Sequence, residues 1–143
     1  MFGIICAIIS GISMSLQGVF NTRLGEKIGT WETNVVVQAT GLVLTLIISF
    51  LIGKGSYSNI KNVNKLYLLG GALGVVIIFT VMQSISSMGP TCGIGIILVS
   101  QLLAAGIIDA FGLFDSEKIK FSLHNIIGIA IMIIGIVIFK WKH

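Results

Sequence analysis

Apolar residues come in five long runs along this chain, over 2–22, 31–53, 66–86, 91–113 and 123–139. Shorter stretches that carry most of the charge and the turn-forming residues part them. Each run has about the 20 residues a helix needs to cross a ~30 Å hydrocarbon core. Apolar residues follow one another without alternation, as in Ile8-Ile9, Val35-Val36-Val37 and Met132-Ile133-Ile134. A membrane β-barrel needs strands that alternate in polarity, so these runs exclude one. Glycine and β-branched residues weaken a helix in water, but in lipid the backbone must satisfy its own hydrogen bonds and stays helical. The pattern predicts an all-α integral membrane protein: five transmembrane helices in one domain over 1–143.

The polar positions inside the runs are themselves ordered. Ser10, Ser13, Gln17 and Asn21 are spaced by 3, 4 and 4, which puts them on one face of the first helix. Asn34, Gln38, Gly41, Thr45 and Ser49 do the same on the second. The third run ends in Thr80, Gln83, Ser84, Ser86 and Ser87, and the fourth carries Gln101 and Asp109 eight residues apart. A single Ser or Thr in a membrane helix serves as hydrogen-bond glue, worth about 0.6 kcal/mol. Carboxamides on three helices are more polarity than glue requires. Gln17, Asn21, Gln38 and Gln101, with Asn34 nearby, are therefore expected to line a substrate cavity.

Two carboxylates stand near membrane depth. Glu32 opens the second run, where a negative charge meets the helix dipole favourably, so a capping role is expected ahead of substrate contact. Asp109 lies among Ile107, Ile108, Ala110 and Phe111, about one turn from the end of its run. Its expected partners are Lys118, Lys120, His124 or Asn125; the alternative is a coupling role in which it exchanges a proton for a cationic substrate. The fifth run is apolar after Asn125, and Gly128 and Gly135 give it a smooth face suited to packing or dimer contact. Pro90, after Gly89, is expected at the start of the fourth helix, where its missing N–H costs nothing.

Composition narrows the function. Charged residues are 10% and hydrophobic residues 55% of the chain, against about 25% charged in a soluble domain. The net charge of +4 sits in links and at the C-terminal end, so nucleic acid is not an expected partner. Cys6 and Cys92 have no metal-ligand spacing around them and act as small apolar residues. His124 and His143 lie far apart and away from any ligand cluster. No metal, cofactor or enzymatic nucleophile is expected. The first run has no Lys or Arg before it and no small-x-small site after it, so it is expected to be a retained helix rather than a leader.

Five crossings would place the two ends of the chain on opposite sides. With the N-terminal side as A, Lys54, Lys61, Lys65, Lys118 and Lys120 give five positive charges on A; Arg23, Lys27, Lys140 and Lys142 give four on B. A Lys/Arg excess sets orientation in the membrane, and an excess of one is almost no instruction. This predicts dual topology and an antiparallel homodimer, an inverted repeat built from two copies.

The segment Gln17-Gly18-Val19-Phe20-Asn21-Thr22-Arg23-Leu24-Gly25 resembles the first-helix signature of the YdcZ-like branch of the drug/metabolite transporter superfamily, relatives of EamA-type transporters. Gly70-Gly71 with Gly74, Gly89-Pro90, Gln101-Leu102, Asp109-Ala110-Phe111-Gly112-Leu113-Phe114 and Gly128 extend the resemblance over nearly the whole chain. It implies half of a ten-helix inverted-repeat fold and secondary transport of metabolites or drug-like molecules by alternating access, in a bacterial inner membrane. The chain departs from that pattern at two points. Asn125, preceded by His124, stands where an arginine is expected before Gly128, so any pairing of that arginine with Asp109 is absent or altered. Ser100 replaces a glycine expected before Gln101. The alternatives are half of a heterodimer with a paralogous five-helix chain, and a non-transporting membrane scaffold. Stripes of polar residues argue against the scaffold.

Overall fold

The computed structural model describes residues 1–119 and 122–141, with the side chain of Lys140 outside the description. Lys120, Lys142 and His143, which entered the charge count, lie outside the described residues. Five α-helices follow one another: α1 (Phe2–Ile28), α2 (Thr30–Ile52), α3 (Gly70–Met88), α4 (Pro90–Phe111) and α5 (Leu123–Lys140). Four spans are long and apolar enough to cross a membrane, the third of them including the 3₁₀ turn before α3, and the fifth helix is shorter and equally apolar. Two 3₁₀ turns, Tyr57–Asn62 and Lys65–Leu69, fill most of the link between α2 and α3.

The helix ends differ from the sequence expectation most at α1. The stretch after Thr22, expected as a link, is nearly two more turns of helix, and only Gly29 separates α1 from α2. Arg23 and Glu26 form a salt bridge at 3.1 Å one turn apart, and Lys27 lies in the last turn, where a cation suits the helix dipole. Nothing before Gly29 breaks the helix. Gly29 has φ +100°, closes α1 by donating its N–H to the Gly25 carbonyl and leads directly into α2. An added Cβ there would collide with the Glu32 carboxylate. Glycine is thus required twice, by the backbone angle and by the space.

The helices group into two compact units, Met1–Gln83 and Ser84–His143, which divide within α3. In the first unit α1 and α2 form a hairpin, and α3 packs on both. Met82 of α3 occupies the space that a side chain at Gly25 would need, while Phe79 stacks on Trp31 of α2 with ring centroids 4.9 Å apart. In the second unit the α3 end and α4 form a tight hairpin. Pro90 is the first residue of α4, as expected, and a Cβ at Gly93 would come within 2.8 Å of Ser84 Oγ. Gly95 brings α5 close, since its Cβ would lie 3.3 Å from Ile136.

After α4 the chain turns at Gly112, φ +63°, and passes through two non-glycine residues with positive φ, Phe114 and Asp115. The link then folds back: the Ile119 N–H donates to the Asp109 carbonyl at 2.9 Å. One orphan carbonyl of the last helical turn is satisfied in this way. Ser122 starts α5 by accepting the His124 N–H at 3.3 Å.

Candidate functional site

The two most buried of the buried side chains in the first unit, Thr33 and Asn34, are polar. Thr33 is fully buried and Asn34, Asn21 and Thr22 are nearly so, beside Ile78 and Met82 of α3. Large apolar residues on the same helices, such as Ile12, Leu16, Val35 and Leu42, are exposed. This polarity is reversed relative to a water-soluble protein and fits a lipid surroundings, where apolar side chains gain nothing by turning inward.

How each polar group is satisfied separates ties from groups left for other work. Thr22 Oγ1 donates to the Gly18 carbonyl and Thr33 Oγ1 to the Gly29 carbonyl, each at 2.8 Å. Both hydroxyls are spent within their own helix or its cap. Asn34 Nδ2 donates across the interface to the Val75 carbonyl of α3 at 2.9 Å. Asn34 is therefore a tie between α2 and α3, although its oxygen keeps its acceptor capacity. One turn on, Gln38 lies against Gly74, whose absent Cβ would sit 3.1 Å from Gln38 Nε2. Asn21 is nearly buried, yet its side chain has no hydrogen bond to any described residue. Among the described residues no buried polar side-chain atom is fully occluded without a partner, so the Asn21 carboxamide keeps an opening at its tip.

Trp31, Asn34 and Gln38 follow one another along α2, and Phe79, Val75 and Gly74 answer them in reverse order along α3. The two helices are held antiparallel by a stack, a hydrogen bond and a close glycine contact. At 1.5 Å per residue, Asn34 and Asn21 lie about 8 and 12 Å along their helices from Gly29, and Gln38 and Gln17 about 14 and 18 Å. The second pair is near the middle of a ~30 Å core.

The predicted site residues thus separate. Asn21 and Asn34 are buried, Gln38 is half-buried, and Gln17 is exposed on α1. Gln101 is exposed on α4, in the other unit. Glu32 lies in the first turn of α2, exposed, with its carboxylate against Gly29, and it makes no side-chain hydrogen bond to the cap. Asp109 is half-buried in a recess of about 390 Å³ that His124 and Asn125 also line. The expected neighbours on α5 are therefore brought to it, but its carboxylate bonds to neither, nor to Lys118, among the described residues. Thr33 and the Trp31–Phe79 pair were not singled out from sequence, and Thr22 and Gly74 entered only as parts of the family resemblance. The spacing of Gly25 to Thr22 and of Trp31 to Gln38 on the same helix faces was the available signal.

A model of the family described as "Putative inner membrane exporter, YdcZ" matches residues 2–138. Neither the curated proteins nor the solved structures yield a match.

Proposed function

We infer the function from one premise: this chain belongs to the YdcZ family of inner membrane exporters. It is a multi-pass transporter of the inner membrane. We propose that it moves a small metabolite or drug-like molecule by alternating access, as an antiparallel dimer of two five-helix copies. Gln17, Asn21, Asn34, Gln38 and Gln101 are the proposed substrate contacts.

The observation that supports this most is the unspent hydrogen-bonding capacity inside the first unit. Asn21 has no partner among the described residues and Asn34 spends one donor on Val75. A structural tie would be complete without the rest. Carboxamides offer both donors and acceptors, so they can hold a polar solute and release it without a charge to neutralise. An antiparallel pair would present each of them twice, related by an axis in the membrane plane.

Purified protein screened by thermal shift against metabolites and organic cations identifies a ligand, because binding to the folded state raises the melting temperature. Transport of that ligand is then measured in vesicles. Gln17→Leu, Gln38→Leu and Gln101→Leu should each keep the wild-type melting temperature without ligand and lower transport by about tenfold, the effect of losing one good hydrogen bond to the solute. Full transport by the triple variant would overturn the carboxamide site.

A further inference from the structure

Along the α4–α5 pair run two recesses that none of the proposed substrate contacts lines. The first, of about 390 Å³, has Asp109, His124 and Asn125 at its head and Gly128 and Met132 along its wall. The second, of about 310 Å³, is almost wholly apolar and passes Met132, Gly135 and Ile136 to Cys92 and Phe139. Met132 lines both, which joins them along the helix pair within the second unit.

Two features of this groove have no explanation in the packing of the unit. A Cβ added at Gly128 or Gly135 would meet nothing within 4 Å. The glycines do not bring another described helix close; they leave open space on the groove wall. At the head, the half-buried Asp109 carboxylate makes no ion pair or hydrogen bond with a described residue. A carboxylate within a turn of the membrane-spanning end of a helix calls for a cation or a polar cavity.

We propose that this groove binds an amphiphilic amine, with its ammonium on Asp109 and its tail along Gly128, Met132 and Gly135. The donor count fits. A primary ammonium has three N–H donors, and the head offers three acceptors: the Asp109 carboxylate, the Asn125 carbonyl and one ring nitrogen of His124. The Ser122 hydroxyl lies 3.3 Å from His124 Nδ1; in the tautomer whose Nδ1–H donates to it, Nε2 is the acceptor left for the ligand. The amine comes either from an aminophospholipid of the bilayer or from a free long-chain amine. None of the proposed substrate contacts lines the groove, and its test reads binding directly, so it stands or falls apart from the transport reading.

The probe is dodecylamine, titrated onto the full chain in nanodiscs of phosphatidylglycerol and followed by thermal shift, with dodecanol as the uncharged control. Wild type should bind dodecylamine about tenfold or more tightly than dodecanol. Asp109→Asn should lose that preference, while Asp109→Glu keeps it and so shows that the site tolerates substitution. Gly128→Leu with Gly135→Leu should fill the groove and weaken both ligands.

Adding phosphatidylethanolamine to the discs distinguishes the sources. Competition with dodecylamine assigns the groove to the lipid, and its absence assigns it to a free amine. The proposal fails if wild type does not bind dodecylamine, if dodecanol binds equally well, or if Asp109→Asn binds like wild type. It also fails if Gly128→Cys, with Cys6 and Cys92 replaced by alanine, cross-links to its own copy and no longer binds dodecylamine. A second copy would then occupy the groove.

Discussion

At the scale of single residues, Asn34 and Thr33 are neighbours of similar burial with different expected weights. Asn34 reaches across to the Val75 carbonyl, whereas Thr33 bonds back to the cap of its own helix. Asn34→Leu removes the side-chain hydrogen bond that ties α2 to α3 at Val75. It should destabilise the protein by about 0.6–1.7 kcal/mol, the range found for interhelical bonds in membranes. Thr33→Val keeps the shape, and the Gly29 carbonyl still accepts the Thr33 N–H at 3.1 Å. Its cost should stay below about 0.5 kcal/mol, within the range of a substitution that breaks no tertiary feature. Reversible unfolding in mixed micelles measures both, and an equal loss would contradict this division. The polar stripe made Asn21, Asn34 and Gln38 legible in the sequence. It missed Thr22 and Thr33 because residue type does not reveal whether a hydroxyl is spent on its own helix. The stripe also could not tell that Gln17, on the same face as Asn21, stays exposed one turn away.

At the scale of elements, the five helices were legible because lipid leaves a long apolar run few alternatives. Their ends were less so. Arg23, Glu26 and Lys27 look like a link when charge is taken as the boundary, yet a helix continues through charged residues when they pair with each other and with its dipole. The true break is Gly29, whose positive φ only glycine adopts freely. Gly29→Ala should therefore cost about 1–3 kcal/mol from this glycine-only backbone region alone, more if the Glu32 carboxylate cannot move aside. Gly41→Ala is the control, because the position is helical and an added Cβ meets nothing within 4 Å. It should be neutral or stabilise by up to about 1 kcal/mol, the helix-propensity difference between the two residues. Melting temperatures of the two variants check the contrast, and a Gly29→Ala as stable as wild type would show that the α1–α2 connection relaxes. The recess around Asp109 was legible only in part. Sequence placed His124 and Asn125 within reach, but the ion pair considered with Lys118 is not formed; the link instead bonds back to the Asp109 carbonyl through the Ile119 N–H.

At the scale of the whole molecule, the question is which way the chain enters the membrane. Five spans put the N-terminal side and the C-terminal side apart, and the positive charges divide as five against four. Moving Arg23 and Lys27 from a link into the last turns of α1 does not change their side, so the structure leaves the balance as it was. Insertion machinery reads this difference over short links, and a difference of one is too small to fix a single orientation. Fusions of a cytoplasm-dependent fluorescent protein and a periplasm-dependent phosphatase to the C-terminal end should both be active. Two lysines added between Gly53 and Gly70 make the difference three and should hold that link in the cytoplasm. Phosphatase activity should then rise and fluorescence fall, while four lysines added beside Gly29, which make the difference three in the other sense, should do the reverse. If the antiparallel pair is the working form, either set of lysines alone should reduce transport, and co-expressing the two oppositely biased chains should restore it. Fluorescence without phosphatase activity from the unmodified chain would mean one fixed orientation. In that case the inverted partner must be a related five-helix chain rather than a second copy of this one.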